Sequence, residues 1–224
     1  MLPKISKLIA NKSSDEEITK EFIKIGRLQY FIIFLMITEL ILVGREFFNI
    51  WAGPSYSDAY YISLLLTIPV CIPLIQNLGI SIMQAKNMHK FRSLLLVFIS
   101  IINILISIPL SKLYGGIGAA IGTAASLLIG NGIIINIYYH KKVRINIIKF
   151  WKEIIKMTIP FLIPLILILL FIHFIKLEGI ISLIIYGILY AIIYFITAYF
   201  FAMNTYEKNI VNNIFKKICI KKVQ

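Results

Sequence analysis

The uncharged run from Ile117 to Tyr139, which stops abruptly at His140, Lys141 and Lys142, constrains this chain more than any other feature. At about 1.5 Å per residue such a helix reaches across a hydrocarbon core roughly 30 Å thick. Its first half is built from small residues. Gly118, Gly122, Ser126 and Gly130 fall at successive i+4 positions, and Gly115, Ala119 and Thr123 form a second row beside them. Lipid supplies no hydrophobic drive between helices, so association rests on close backbone approach, and these rows predict a neighbouring helix packed against them. The rest of the chain is equally apolar. A hydrophobic content of 59% and a mean hydropathy of +0.89 exclude a soluble domain with a polar surface.

Taken in order, residues 1–27 are mixed in character. Ser14 and Glu17 have the spacing of a capping box, and Ile18, Phe22 and Ile25 repeat with helical period, which predicts an amphipathic helix leading to the membrane. A first span is expected over 28–43, with Arg27 snorkelling at one end and Gly44, Arg45 and Glu46 closing the other. Glu39 sits inside it. A carboxylate at bilayer depth costs at least ~2.5 kcal/mol unless it meets protein, water or a cation. It therefore marks either a functional position or a site close enough to the interface to be solvated. The aromatic stretch Phe47 to Tyr61 has the composition of an interfacial anchor with a Gly53-Pro54 turn.

A second span is expected over 60–80. Its Pro69 and Pro73 each remove a helical hydrogen bond, which predicts a kink, and Gln76 and Asn77 follow directly. Those amides face either a cavity or a neighbouring helix. The third span, 93–110, is joined to the opening stretch by a few residues, so spans three and four form an antiparallel hairpin. Residues 140–156 carry Lys141, Lys142, Arg144, Lys149, Lys152 and Lys156 beside Ile147, Trp151 and Ile154, the pattern of an amphipathic helix on an anionic lipid surface. A fifth span over 157–175 contains Pro160 and Pro164, His173 is expected at its interfacial end, and Lys176 to Gly179 turns into a sixth span over 180–202 before the basic tail 203–224.

The net charge of +13 would suggest nucleic acid in a soluble protein, but the positions of the cations say otherwise. Twenty of the 23 Lys and Arg residues lie in segments on one side of the expected spans, and only Arg45, Lys112 and Lys176 lie on the other. The positive-inside rule then predicts an all-α polytopic membrane protein with six transmembrane helices and both termini in the cytoplasm, and no nucleic-acid partner. Neither of the two cysteines, Cys71 and Cys219, sits in a CxxC pair, and His89 lies among lysines without ligand spacing, so no metal, cofactor or disulfide framework is expected. No signal peptide is apparent at the amino terminus, and the first span is expected to direct insertion.

Several segments together carry a resemblance. They are MLPKISKL at the start, GREFFNIWAGPSYSDAY after the first span, IPLIQNLGISIMQAKNMHKFRS around the second, and YGGIGAAIGTAASLLIGNGIIINIYYHKK at the fourth. This combination resembles the polysaccharide flippases that carry O-antigen and capsule repeat units, within the multidrug/oligosaccharidyl-lipid/polysaccharide exporter superfamily. The resemblance implies alternating access around a central cationic cavity, with undecaprenyl-diphosphate-linked oligosaccharide as substrate, in the bacterial cytoplasmic membrane. Members have two pseudo-symmetric lobes, and this chain is similar to the carboxy-terminal one, which implies a separately encoded amino-terminal lobe, or else a truncated and inactive product. The candidate substrate-path residues are Glu39, Arg45, Gln76, Asn77, Lys86, Lys112, Asn131 and Asn136. The cations are chosen because a diphosphate calls for them, the amides because a glycan does, and Glu39 because it is the one carboxylate within the expected spans and hence the local candidate for gradient coupling. For Asn131 and Asn136 the competing role is hydrogen bonding to a neighbouring helix. A membrane enzyme of envelope synthesis is the rival class, and the absence of paired carboxylates or a His/Asp cluster argues against it.

Overall fold

The computed structural model describes residues 5, 7–9, 13–174 and 179–221. The expectations placed on Lys4, Lys12, Lys176 and Lys222, and on the side chains of His173, Lys217, Cys219 and Lys221, fall outside the described residues. All the regular structure described is helical. The chain divides into two compact units, Met1–Glu153 and Ile154–Gln224.

In the first unit, α1 (Asp15–Trp51) starts at the expected capping box: Glu17 N donates to Ser14 Oγ at 3.3 Å and Ser14 N donates to Glu17 Oε2 at 3.2 Å. Asp15, Glu16 and Glu17 also place negative charge at the positive end of the helix dipole. No proline intervenes, so α1 continues through Arg27 and ends only at the Gly53-Pro54 turn, where Gly53 has φ +92°. Two helices follow, α2 (Asp58–Ile75) and α3 (Leu78–Ala85), with Gln76 between them at φ −104°, ψ 14°. The expected kink is therefore a full interruption, three residues beyond Pro73.

The next helix, α4 (His89–Leu127), folds back on itself at Gly115, whose φ of 59° and ψ of −137° suit glycine and strain any other residue. The fold-back makes the predicted hairpin and also supplies the predicted neighbour for the small residues. A Cβ on Gly118 would strike the Leu110 carbonyl, one on Gly122 would strike Ser107, and one on Gly130 would strike the Ile99 side chain. Inside the hairpin, Asn103 Oδ1 accepts from Ser107 Oγ at 2.6 Å and from Thr123 Oγ1 at 3.2 Å. The second leg continues through a π-wound stretch (Leu128–Ile134), α5 (Ile135–Tyr138) and a second π-wound stretch (Tyr139–Val143), and it ends at left-handed Arg144.

Helix α6 (Ile147–Phe174) then begins and continues past Glu153, the last residue of the first unit, without a break at residue 156. In the second unit, α7 (Ile180–Thr197) buries Ser182, Tyr186, Tyr190 and Tyr194 along one stripe at i+4 spacing. Phe161 of α6 meets Tyr194 with ring centroids 4.7 Å apart, and Phe171 meets Tyr186 at 6.3 Å. The last helix, α8 (Thr205–Lys221), is capped by Asn204 and Glu207, each accepting from the other's backbone N–H at 2.9 Å.

Among the described residues four stretches, not six, are long and apolar enough to cross a membrane: Pro54–Ile75, His89–Val143, Ile147–Ile172 and Ile180–Ala202. The difference has two sources. The third and fourth expected spans are the two legs of one 55-residue stretch folded at Gly115. The first expected span, 28–43, lies inside α1 with Glu39 among its residues and is not one of the four.

The core of the first unit sits at its basic end rather than in its apolar middle. Phe22, Ile82, Met83, Tyr139, Val143 and Phe150 are all almost completely buried there, whereas only 11% of the apolar windows in Pro54–Ile75 and His89–Val143 is buried. Apolar surface directed outward over such lengths is the distribution a lipid solvent requires, and the chain has the general character of a multi-pass membrane protein.

Candidate functional site

The polar interior of the first unit gathers where α2 breaks. Pro69 and Pro73 lack the N–H groups that would close the preceding turns, and α2 stops at Ile75. Opposite it, the second leg of the hairpin is π-wound around Gly130, Asn131 and Gly132. Local π-winding widens the turn and leaves carbonyls in need of donors. Asn136 supplies them: its Nδ2 donates to the Asn131 and Gly132 carbonyls, both at 2.8 Å. Its Oδ1 accepts from Gln76 Nε2 at 2.8 Å and from Trp151 Nε1 at 3.1 Å. An indole nitrogen can only donate, so Trp151 fixes which way the Asn136 amide faces, and Asn136 in turn fixes Gln76. Gln76 Oε1 is left buried and without a donor, and so is Gln29 Oε1 on α1.

The interruption is packed as well as hydrogen-bonded. A Cβ on Gly26 would approach the Ile75 carbonyl to 2.8 Å and Phe150 to 2.5 Å, so only glycine lets α1 lie against the broken end of α2. Gly79 gives the same close approach to the Tyr139 ring. Phe22 closes the cluster, with its ring centroid 4.8 Å from Phe150 and 5.9 Å from Tyr139.

Of the sequence-predicted residues, the structure brings together Gln76, Asn131 and Asn136, at 2%, 4% and 8% exposure. Asn77, the neighbour of Gln76, is exposed. Lys86 donates to the Val143 carbonyl at 2.8 Å and pairs with Asp15 at 3.5 Å, so it closes the carboxy-terminal end of the hairpin's second leg. Arg144 approaches the other oxygen of Asp15 at 3.9 Å. Arg45 and Lys112 are exposed, and neither makes an ion pair among the described residues. Glu39 is half-buried on α1. Gly118, Gly122, Ser126 and Gly130 are all buried inside the hairpin.

Two functional-looking residues escaped the sequence. Trp151 is one: its bond to Asn136 depends on the left-handed turn at Arg144, and no local spacing announces it. Arg27 is the other. Instead of snorkelling it is 4% exposed and donates to Glu153 Oε2 at 3.3 Å. The one signal for that pair was an acidic residue inside an otherwise basic segment.

Two open depressions accompany these features. A polar one of about 340 Å³ is lined by Asp15, Glu16, Thr19, Arg144, Asn146 and Lys149 at the basic end. An apolar one of about 630 Å³ lies between α2 residues such as Leu64, Ile68 and Pro69 and the hairpin residues Ile117, Ala124 and Leu128. Among the described residues no group of three or more His, Cys, Asp or Glu side chains could hold a metal ion. Compared with protein-family models, curated proteins and solved structures, the chain matches none.

Proposed function

We propose that this chain is one lobe of a flippase that carries lipid-linked oligosaccharide repeat units across a bacterial cytoplasmic membrane, and that it performs no covalent chemistry on them. The observation that carries this reading is the pairing of two irregular helices: the interruption at Gln76-Asn77 meets the π-wound second leg through Asn136, which holds the Asn131 and Gly132 carbonyls and accepts from Gln76 and Trp151. Non-helical backbone at membrane depth is tolerated only inside protein or beside a cavity, and transporters build the sites around which their lobes rock from such broken helices. In this reading the Gln76–Asn136 contact is the joint. Arg45 and Lys112, exposed on the sparsely basic side, are the cations available to a diphosphate. Anionic lipid holds the opposite, basic side. Six crossings with both termini in the cytoplasm complete the proposed topology, and a separately encoded lobe completes the cavity.

Complementation tests it. The chain is expressed alone and together with a separately encoded amino-terminal half in a bacterium lacking its repeat-unit flippase, and surface polysaccharide is scored. Rescue only with the second half is the expected result. Stable insertion of both halves with no polysaccharide in any combination removes the transport assignment.

A further inference from the structure

One side of α1 is covered and the opposite side is bare. Tyr30, Thr38 and Gly44 are buried. A Cβ on Gly44 would meet the Tyr60 ring, and the Tyr60 hydroxyl donates to the Ile41 carbonyl at 3.2 Å, so α2 covers that side. About 170° around the helix, at 100° per residue, Ile32, Met36, Glu39, Val43, Glu46 and Ile50 follow one another at alternating steps of four and three. Ile32, Met36 and Ile50 are 58%, 64% and 42% exposed. Glu39, in the middle, is half-buried and makes no hydrogen bond or ion pair among the described residues.

Alternation of four and three is the seam spacing of two helices crossing at about 20°. Met36 and Val43 flank Glu39 one turn away on each side, so a helix laid along the seam would seal the carboxylate from water. A sealed carboxylate must be protonated or paired, and a cation opposite it is what keeps it charged. The apolar segments of this chain supply none: residues 28–43, 59–80, 93–111, 113–139, 157–172 and 180–202 contain no Lys or Arg. A second copy would set Glu39 against Glu39. We infer that this face of α1 docks a transmembrane helix of a different chain, one that carries a Lys or Arg opposite Glu39. The docking holds whether or not that chain is a transport lobe, so failed complementation and failed docking are separate results.

The test uses the full chain in phosphatidylcholine vesicles with designed Leu/Ala transmembrane peptides whose central residue is Lys, Leu or Glu, and association is read by energy transfer. Association with the Lys peptide at least tenfold tighter than with the Leu peptide, abolished by Glu39→Gln while insertion is unchanged, is expected. Equal association with all three peptides overturns the inference. A Met36→Cys variant gives the second arm. It should form a disulfide with a Lys peptide carrying a neighbouring cysteine; efficient disulfide dimers of the chain with itself, unaffected by Glu39→Gln, would identify a second copy as the occupant and overturn the inference too.

Discussion

Asn136 ties several parts of the first unit's interior together, because its single amide serves four partners: Gln76, Trp151 and the carbonyls of Asn131 and Gly132. Replacing it with leucine would leave Gln76 Nε2 buried, and Trp151 Nε1 part-buried, without an acceptor. Each orphaned group costs about 1–3 kcal/mol in a protein interior, and the measured averages for membrane proteins fall toward the lower end. Asn136→Leu is thus expected to destabilise the first unit by about 2 kcal/mol, measured as a lower midpoint in a denaturing-detergent titration. In a Trp51→Phe background Trp151 is the sole tryptophan of the two in the sequence. Its emission should shift when its acceptor is removed. Adding Gln76→Leu should recover part of the loss, because the side chain whose Oε1 already lacks a donor leaves with it. A double variant that is less stable than Asn136→Leu by the full cost of Gln76→Leu alone would show that the two amides are not coupled. The amides were legible in the sequence because they are polar in apolar runs. Trp151 was not, since an indole beside lysines reads first as an interfacial ring.

At the scale of elements, the hairpin is where sequence and structure agree most closely, and the reason is steric. Small residues at i+4 spacing have one structural use in an apolar helix, close approach, and the short connection around Gly115 leaves the preceding leg as the partner. What the sequence did not reveal was where helices continue. α1 passes Arg27 because Gly26 and Gly44, which look like breakers, are instead the contact points for Phe150 and Tyr60. Glycine-to-alanine substitutions separate the two uses of glycine. Alanine is the better helix former by about 1 kcal/mol, so Gly187→Ala, where an added Cβ meets nothing within 4 Å, should be neutral or slightly stabilising. Gly118→Ala and Gly122→Ala drive a Cβ into the backbone of the facing leg and should each lose about 1–3 kcal/mol despite the better propensity. Gly130→Ala meets only the Ile99 side chain, which can turn aside, and should fall between. Thermal unfolding in detergent ranks all four, and a Gly118→Ala protein as stable as Gly187→Ala would contradict the close packing of the legs.

For the whole molecule the decisive quantity is the number of crossings, since length and apolarity mark four stretches while the cations of the chain divide as if there were six. The 55-residue stretch His89–Val143 settles part of the difference. Each leg of roughly 25 residues would extend about 38 Å, enough to cross a hydrocarbon core of about 30 Å by itself. Folding at Gly115 then returns the chain to the side from which it started, and Lys112 and Lys141, both exposed, should emerge on opposite faces. In a background with Cys71→Ser and Cys219→Ser, Lys112→Cys is expected to react with an impermeant maleimide only from outside intact cells. Lys141→Cys should react only after the cytoplasm is opened. Arg45→Cys tests the remaining crossing in the same way. Glu39 interrupts the apolar run of α1 from within, so a crossing by this helix carries the cost of a carboxyl at depth unless it meets protein, water or a cation. Labelling of Arg45→Cys from outside, together with Lys20→Cys from inside, would place Glu39 at depth and give the bare face of α1 a membrane-embedded occupant to satisfy. Labelling of both from the same side would leave Glu39 solvated at an interface, remove α1 from the crossings, and with it the need for any cationic partner helix.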